Sequence, residues 1–363
     1  MKQNINKLCQ DPLFQLNLLI WLAQAQPLNQ NHFYVNPLFY KSNLKIYSIG
    51  PLLSLPLDIR EGVAQKKLSC QESTRPDLIL KEEENNKFCI IECKASSFGP
   101  NSTTSKQART LLLISSTIFA DILGLGNIEQ NKSILCYFSN LDQAKIIGNT
   151  LKNLSQEIKN LELYRGNSKI NPGIYDFFGI KVEQSAILLE FSKKVKAFLN
   201  IKDDSPVKIL NFEKDTDPRP LYFIPYDPNL EQTKEEQEFG KRILLERILS
   251  CIISNIGGAN IPTTLTFTTE DLLNFATFGV YEIWEENTKK VRKIVKSFLI
   301  KLKTYINGSL KELMLYESKK GCTFNLKNKE IKEELLKKIQ SFKPETLNLS
   351  NEVDATLFDD MEE

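Results

Sequence analysis

Two apolar runs that carry charges at their ends constrain this chain more than any other feature. The first is Arg75-Pro76-Asp77-Leu78-Ile79-Leu80. The second is Phe88-Cys89-Ile90-Ile91-Glu92-Cys93-Lys94, and the polar stretch Lys81 to Lys87 joins them. Both read as β-strands, and so short a connection makes them neighbours. Alternation along the second strand sends Phe88, Ile90, Glu92 and Lys94 to one face. A carboxylate at the start of one strand then converges with a carboxylate and an amine two residues apart on the next. Two carboxylates suit Mg²⁺, and an adjacent lysine can position water or stabilise developing phosphate charge. The alternative is that Asp77 caps a turn while Glu92 and Lys94 lie on a solvated strand face. Ile90, Ile91 and the apolar start of the strand argue for burial on both sides. Buried Glu and Lys cost several kcal/mol unless they are paired or bind metal.

Read together as PD…ExK, these residues resemble the PD-(D/E)xK nuclease superfamily, the restriction-endonuclease-like fold. The resemblance covers roughly residues 40–190. It implies that Asp77, Glu92 and the main-chain carbonyl of Cys93 hold Mg²⁺, with Mn²⁺ as substitute, and that Lys94 is the catalytic lysine. Relatives of this kind carry a Gln or Lys at the start of the helix after the ExK strand, a role that falls on Gln107 first and Lys106 second. Many also carry an acid on the first core helix. Here the N-terminal helix, about Pro12 to Gln24, has no Glu, and its only acid is Asp11 at the cap. Of Glu61, Asp58 and Glu72, which lie nearer the motif, Glu61 is the candidate for that extra ligand, and one or two metals stay open.

The surroundings follow the same order. Ala95 to Pro100 reads as a loop by its Gly-Pro break. From Thr104 to Leu123, apolar residues recur at helical spacing, with Gly124 as the stop. Arg109, in the polar first turns, is expected to meet a phosphate or an acid rather than a base. A strand at Ser133 to Phe138 and a helix from Leu141 to about Leu161 complete the order strand, strand, helix, strand, helix. Strands at Tyr175 to Val182 and Ala186 to Phe191 close this half.

Bulk properties narrow the alternatives. The 363 residues suffice for two domains, and 41% hydrophobic with 25% charged residues is ordinary for a globular protein. Net charge is +2, so no overall basicity advertises nucleic acid. The apolar stretch Leu16 to Ala25 is too short to span a bilayer and lacks the layout of a signal peptide, which points to a cytoplasmic protein. A single histidine, His32, argues against nucleases or zinc hydrolases built on histidine clusters. The seven scattered cysteines have no zinc-site spacing and read as small hydrophobes. No Walker A motif appears, so any ATP-driven step belongs to a partner.

Residues 203–220, rich in Asp, Lys and Pro, read as a linker. Beyond it, Leu221 to Ile224 reads as a short strand, and Thr233-Lys234-Glu235-Glu236 as a capping box opening a helix that ends at Gly257-Gly258. Leu265 to Phe267 reads as a strand, Thr268 to Asp271 as a second capping box, and Thr288 to about Ile306 as a helix with a basic outer face. Leu313 to Tyr316 and Cys322 to Leu326 then form a hairpin with a basic tip. This rhythm suggests a winged helix whose Lys289, Lys290, Arg292, Lys293, Lys296, Lys319 and Lys320 contact DNA phosphates. A lysine-rich solvated helix face is the plainer alternative.

The expectation is an α/β chain. Residues 1–202 would be a restriction-endonuclease-like mixed sheet flanked by helices, 203–220 a linker, 221–345 a mainly helical, winged-helix-like DNA-binding domain, and 346–363 an acidic flexible tail. The implied activity is Mg²⁺-dependent DNA cleavage in restriction, phage defence or mobile-element processing, with a homodimer or a protein partner such as an ATPase. The rival is a non-catalytic nucleic-acid-binding subunit that recruits an ATPase or transposase.

Overall fold

The computed structural model describes residues 5–25, 28–30, 33–126, 131–184, 186–202, 206–211, 217–230, 232–285, 288–308, 313–317 and 321–343. His32, Lys319, Lys320 and the acidic tail lie outside them. The chain divides into two compact units, Met1–Pro218 with Ile283–Glu286, and Arg219–Glu282 with Asn287–Glu363.

The first unit is α/β. Its strands are β1 (Leu28–Gln30), β2 (Phe33–Val35), β3 (Leu44–Ile49), β4 (Leu78–Glu82), β5 (Lys87–Cys93), β6 (Lys132–Asn140), β7 (Ile174–Glu183), β8 (Ala186–Phe191) and β9 (Val207–Asn211). They form one mixed nine-stranded sheet in the order β1-β2-β9-β8-β7-β6-β5-β4-β3. The β4–β5 pair is antiparallel, with Leu78 opposite Ile91, whereas β5, β6 and β7 run parallel. Parallel neighbours require crossovers. Helices α3 (Thr103–Leu113) and α4 (Ser116–Ile122) supply the first, and α5 (Leu141–Asn160) the second.

On one face of the sheet, Ile79, Phe88, Ile90, Leu135 and Tyr137 form a core with Leu111 and Leu112 of α3, Phe119 of α4, and Ile147, Leu151 and Leu154 of α5. Helix α2 (Leu57–Gln65) adds Ile59 and Val63 to that core. Against β5 and β6 also lies α1 (Pro12–Leu22), started by Asp11, whose side chain accepts from the Leu13 N–H. Every residue of α1 is buried, including Gln15 and Asn17. A helix buried all round needs internal partners for its polar side chains. Asn17 donates to the Leu13 carbonyl at 2.9 Å, and Gln15 reaches further, as described below.

Three elements differ from expectation. The helix anticipated over Thr104 to Leu123 is two, because the Gly173 N–H takes the Leu112 carbonyl at 2.7 Å and Ser115 restarts the chain as a new N-cap. The expected linker 203–220 contains β9, where Val207, Ile209 and Leu210 are buried and pair with β8 and β2. Its five residues, Val207–Asn211, sit among Asp, Lys and Pro, which mask the strand pattern. The expected strand Leu221 to Ile224 is a 3₁₀ turn, Arg219–Leu221, followed by bends. Pro220 and Pro225 lack the amide donors a ladder needs.

Helix α6 (Lys193–Phe198) follows β8 in the first unit. The second unit is mainly helical. Thr233 and Glu236 form the expected capping box at the head of α7 (Lys234–Gly258), and Thr268 and Asp271 form another at α8 (Thr269–Ala276). Then come α9 (Thr288–Asn307) and α10 (Lys329–Ser341). Strands β10 (Thr263–Phe267), β11 (Met314–Glu317) and β12 (Gly321–Leu326) make an antiparallel sheet in the order β10-β12-β11. Val291, Val295, Phe298, Leu302 and Ile306 form the buried stripe of α9.

Two predictions follow from packing and burial. A Cβ at Gly179 would lie 2.7 Å from Leu141 Cα and 3.1 Å from the Ser139 carbonyl oxygen, both main-chain atoms that cannot swing aside. Gly179→Ala should lower the free energy of unfolding by about 1–3 kcal/mol in a denaturant titration. In the second unit, Asp227 is buried, and burial pushes its carboxyl up to about 6, partly offset by hydrogen bonds from Asn229 and the charge of Lys290. A carboxyl raised above its unfolded value favours the fold while protonated, and that contribution is lost as pH rises from about 4 through 6. Relative to Asp227→Asn, the native chain should lose roughly 2–3 kcal/mol of stability between acid and neutral pH, read from paired unfolding curves.

Candidate active site

Asp77 stands at the entry to β4, directly after Pro76. Its main-chain carbonyl accepts from the Gly50 N–H at 3.0 Å, and Arg75 Nη1 donates to the Gly50 carbonyl at 2.6 Å. The start of the strand is thereby pinned from both sides. Asp77 Oδ2 accepts from the Cys93 N–H, and the Cys93 thiol also hydrogen-bonds to Asp77. Asp77 is only 8% exposed and Glu92 2%, so the solvated strand face is excluded.

Glu92 and Lys94 project from the same face of β5, as alternation required. Lys94 Nζ donates to Glu92 Oε1 at 2.6 Å. Gln107, in the second turn of α3, donates through Nε2 to the same oxygen at 2.8 Å and accepts from Lys94 Nζ at 3.3 Å. The helix is set in place by Ser102, whose side chain caps it by accepting from the Ser105 N–H at 3.1 Å. The structure therefore joins Asp77, Glu92, Cys93, Lys94 and Gln107 in one cluster.

Electrostatics divide the cluster into charged and neutral members. Burial pushes the Lys94 ammonium down, but Glu92 and Asp77 outweigh it and the net shift is upward. Lys94 is thus a cation at neutral pH. Burial, then the charges of Asp77 and Glu92, push the Cys93 thiol well above its usual range, so it is no nucleophile. Glu92 Oε2, by contrast, is buried without a hydrogen-bond partner.

That orphaned oxygen tests the fit of a hard cation. A buried carboxylate oxygen without a donor is costly, and a divalent ion bound there would remove the cost. The carboxylates of Asp77 and Glu92 with the Cys93 carbonyl offer oxygen donors only, the class that suits Mg²⁺ or Mn²⁺. Among the described residues no group of three or more His, Cys, Asp or Glu side chains is arranged for a metal. The remaining positions would fall to water and phosphate oxygens, as is usual for Mg²⁺.

Other predicted residues go elsewhere. Glu61 sits exposed on α2, while Asp58 and Glu72 pair on the surface with Arg165 and Arg60. Lys106 is exposed one residue before Gln107. Arg109 meets an acid rather than a phosphate. It is buried, with Nε on Glu157 at 2.9 Å, Nη1 on Ser105 at 3.2 Å and Nη2 on the Pro100 carbonyl at 3.0 Å. It is thus corrected from a DNA contact to a clamp on the loop that leads into α3. Lys289, Lys290 and Lys293 are exposed on α9 and Lys296 is half-buried. Arg292 is engaged by the Tyr281 hydroxyl at 2.6 Å and by Glu270 at 3.3 Å, which limits it as a phosphate contact.

Three residues were missed. Gln15 donates through Nε2 to the Lys94 carbonyl at 3.1 Å and the Cys9 carbonyl at 2.9 Å. Ser139 donates to the same Lys94 carbonyl at 2.6 Å. Together they hold the main chain where β5 ends. Tyr137 lies in register with Glu92 on β6. A glutamine inside the otherwise apolar run Leu13 to Leu22 was the one readable sign.

Comparison with protein-family models, with curated proteins and with solved structures finds no match.

Arg109→Ala should lower stability by about 1–3 kcal/mol, through loss of its buried hydrogen bonds, in a denaturant titration beside the native chain.

Proposed function

We propose that this chain is a divalent-metal-dependent DNA endonuclease of the PD-(D/E)xK type. The observation that carries the reading is the cluster itself: Asp77, Glu92, Lys94 and Gln107 meet, largely buried, where β4 begins and β5 ends, with one Glu92 oxygen unpartnered. Such a concentration of buried charge has little structural purpose, since an apolar set of similar volume is often at least as stable.

Asp77, Glu92 and the Cys93 carbonyl would hold Mg²⁺, or Mn²⁺ in its place. When bound, the ion supplies Lewis acidity toward a phosphate oxygen and makes a more acidic water. The side chains divide the remaining work. Lys94, kept cationic by Glu92 and Asp77, offsets charge that accumulates on the phosphate oxygens. Gln107 fixes the rotamers of Glu92 and Lys94 together through its two hydrogen bonds.

The second unit supports the substrate class. Its order α7-β10-α8-α9-β11-β12-α10, with β12 between β10 and β11, supports a winged-helix reading, in which exposed Lys289, Lys290 and Lys293 would meet DNA phosphates. No helix among the described residues is long and apolar enough to cross a membrane, which accords with a cytoplasmic enzyme acting in restriction, phage defence or mobile-element processing. A second reading is a non-catalytic DNA-binding subunit working with an ATPase or transposase, since among the described residues no group of three or more His, Cys, Asp or Glu side chains is arranged for a metal.

Incubation with supercoiled plasmid, linear duplex, single-stranded DNA and RNA, with Mg²⁺ or Mn²⁺, separates the two. Metal-dependent cleavage should fall by at least about 10³-fold in Asp77→Ala, Glu92→Ala and Lys94→Ala. Cleavage that survives all three changes would sink the enzyme assignment, and binding without cleavage would favour the subunit.

A further inference from the structure

Tyr137 is fully buried on β6, directly across from Glu92 in the parallel β5–β6 pair. Its ring packs against Phe98 at 5.6 Å between centroids, which restricts where the hydroxyl can lie. That hydroxyl has no hydrogen-bond partner, and neither has Glu92 Oε2. A phenol is a donor and a carboxylate oxygen an acceptor, and the two residues are register neighbours on one face of the sheet. They nevertheless do not bond to each other. Two buried, complementary, unpartnered groups on adjacent strands are each costly alone, and a small polar body between them would satisfy both.

Resting on the nuclease reading of this site, we propose that Tyr137 is a positioning residue whose hydroxyl donates a hydrogen bond to a water carried by the cation that Asp77 and Glu92 hold. Mg²⁺ gives up its waters reluctantly, so a donor or acceptor beside the carboxylates has a water to meet. A phenol keeps its proton at neutral pH, so the hydroxyl is available as a donor. Outer-sphere partners of this kind orient what the ligands bind, and their loss weakens metal affinity by about 10–100-fold.

The test is calorimetric titration of Mn²⁺ into the metal-free, DNA-free full chain, for the native protein, Tyr137→Phe and Asp77→Asn, beside thermal unfolding of each metal-free protein. Tyr137→Phe should weaken Mn²⁺ binding about 10-fold. Its metal-free melting temperature should stay equal or rise, because the substitution removes an unsatisfied buried hydroxyl. A hydroxyl that serves only structure would show the opposite pair of results, lower melting and unchanged affinity, and would overturn the proposal. Equal Mn²⁺ affinity with native melting overturns it too, while leaving the nuclease reading intact. If the native chain takes up no Mn²⁺ that depends on Asp77, the reading of the site fails and the role of Tyr137 fails with it.

Discussion

The Glu92 carboxylate, almost wholly removed from water at the end of a strand, is the constraint around which the first unit is organised. An ionised group there is tolerated only with counter-charge and donors close by. Lys94 supplies the charge at 2.6 Å and Gln107 a donor at 2.8 Å. To bring Gln107 there, α3 must begin just beyond the strand end, which in turn shapes the loop 95–102. Arg109 ties that loop to α3 and to Glu157 on α5. Beneath Lys94, Gln15 of α1 and Ser139 of β6 hold its carbonyl. One carboxylate thus recruits support from both faces of the sheet.

The same arrangement sets the chemistry open to the site. Two carboxylates face one ammonium, so the centre carries excess negative charge and favours a cation. Those charges keep Lys94 protonated against the pull of burial, while burial and then the same charges keep the thiol and phenol beside it neutral. The result is an acceptor-rich corner beside a positive charge, the environment that the proposed phosphodiester hydrolysis would use. The Glu92 oxygen left without a donor marks a place where an incoming group has much to gain.

Local patterns in the chain proved readable where the determinants were themselves local. The capping boxes at Thr233 and Thr268 lie within four residues and both form. The helix expected from Leu141 to about Leu161 runs from Leu141 to Asn160, because its apolar stripe and its Asn140 cap are contiguous. The strand at Phe88 to Lys94, with alternation placing Glu92 and Lys94 together, needed only the period of a strand. Reading failed where the decisive partner was distant. The break at Ile114 depends on Gly173, the burial of Arg109 on Glu157, and the pairing of β9 on β2.

By itself, then, the amino-acid sequence determined the strand pair and the side from which Glu92 and Lys94 project, since each follows from spacing along one or two neighbouring elements, whereas the candidate role of Gln107 was implied by the family resemblance. Only the tertiary structure decided that Arg109 clamps a loop, that Glu61 lies exposed on α2, and that Gln15, Ser139 and Tyr137 belong to the centre. Those assignments turn on which side chains share a buried, low-dielectric volume. That volume is created when strands and helices far apart in the chain pack, and no periodicity along the chain encodes it.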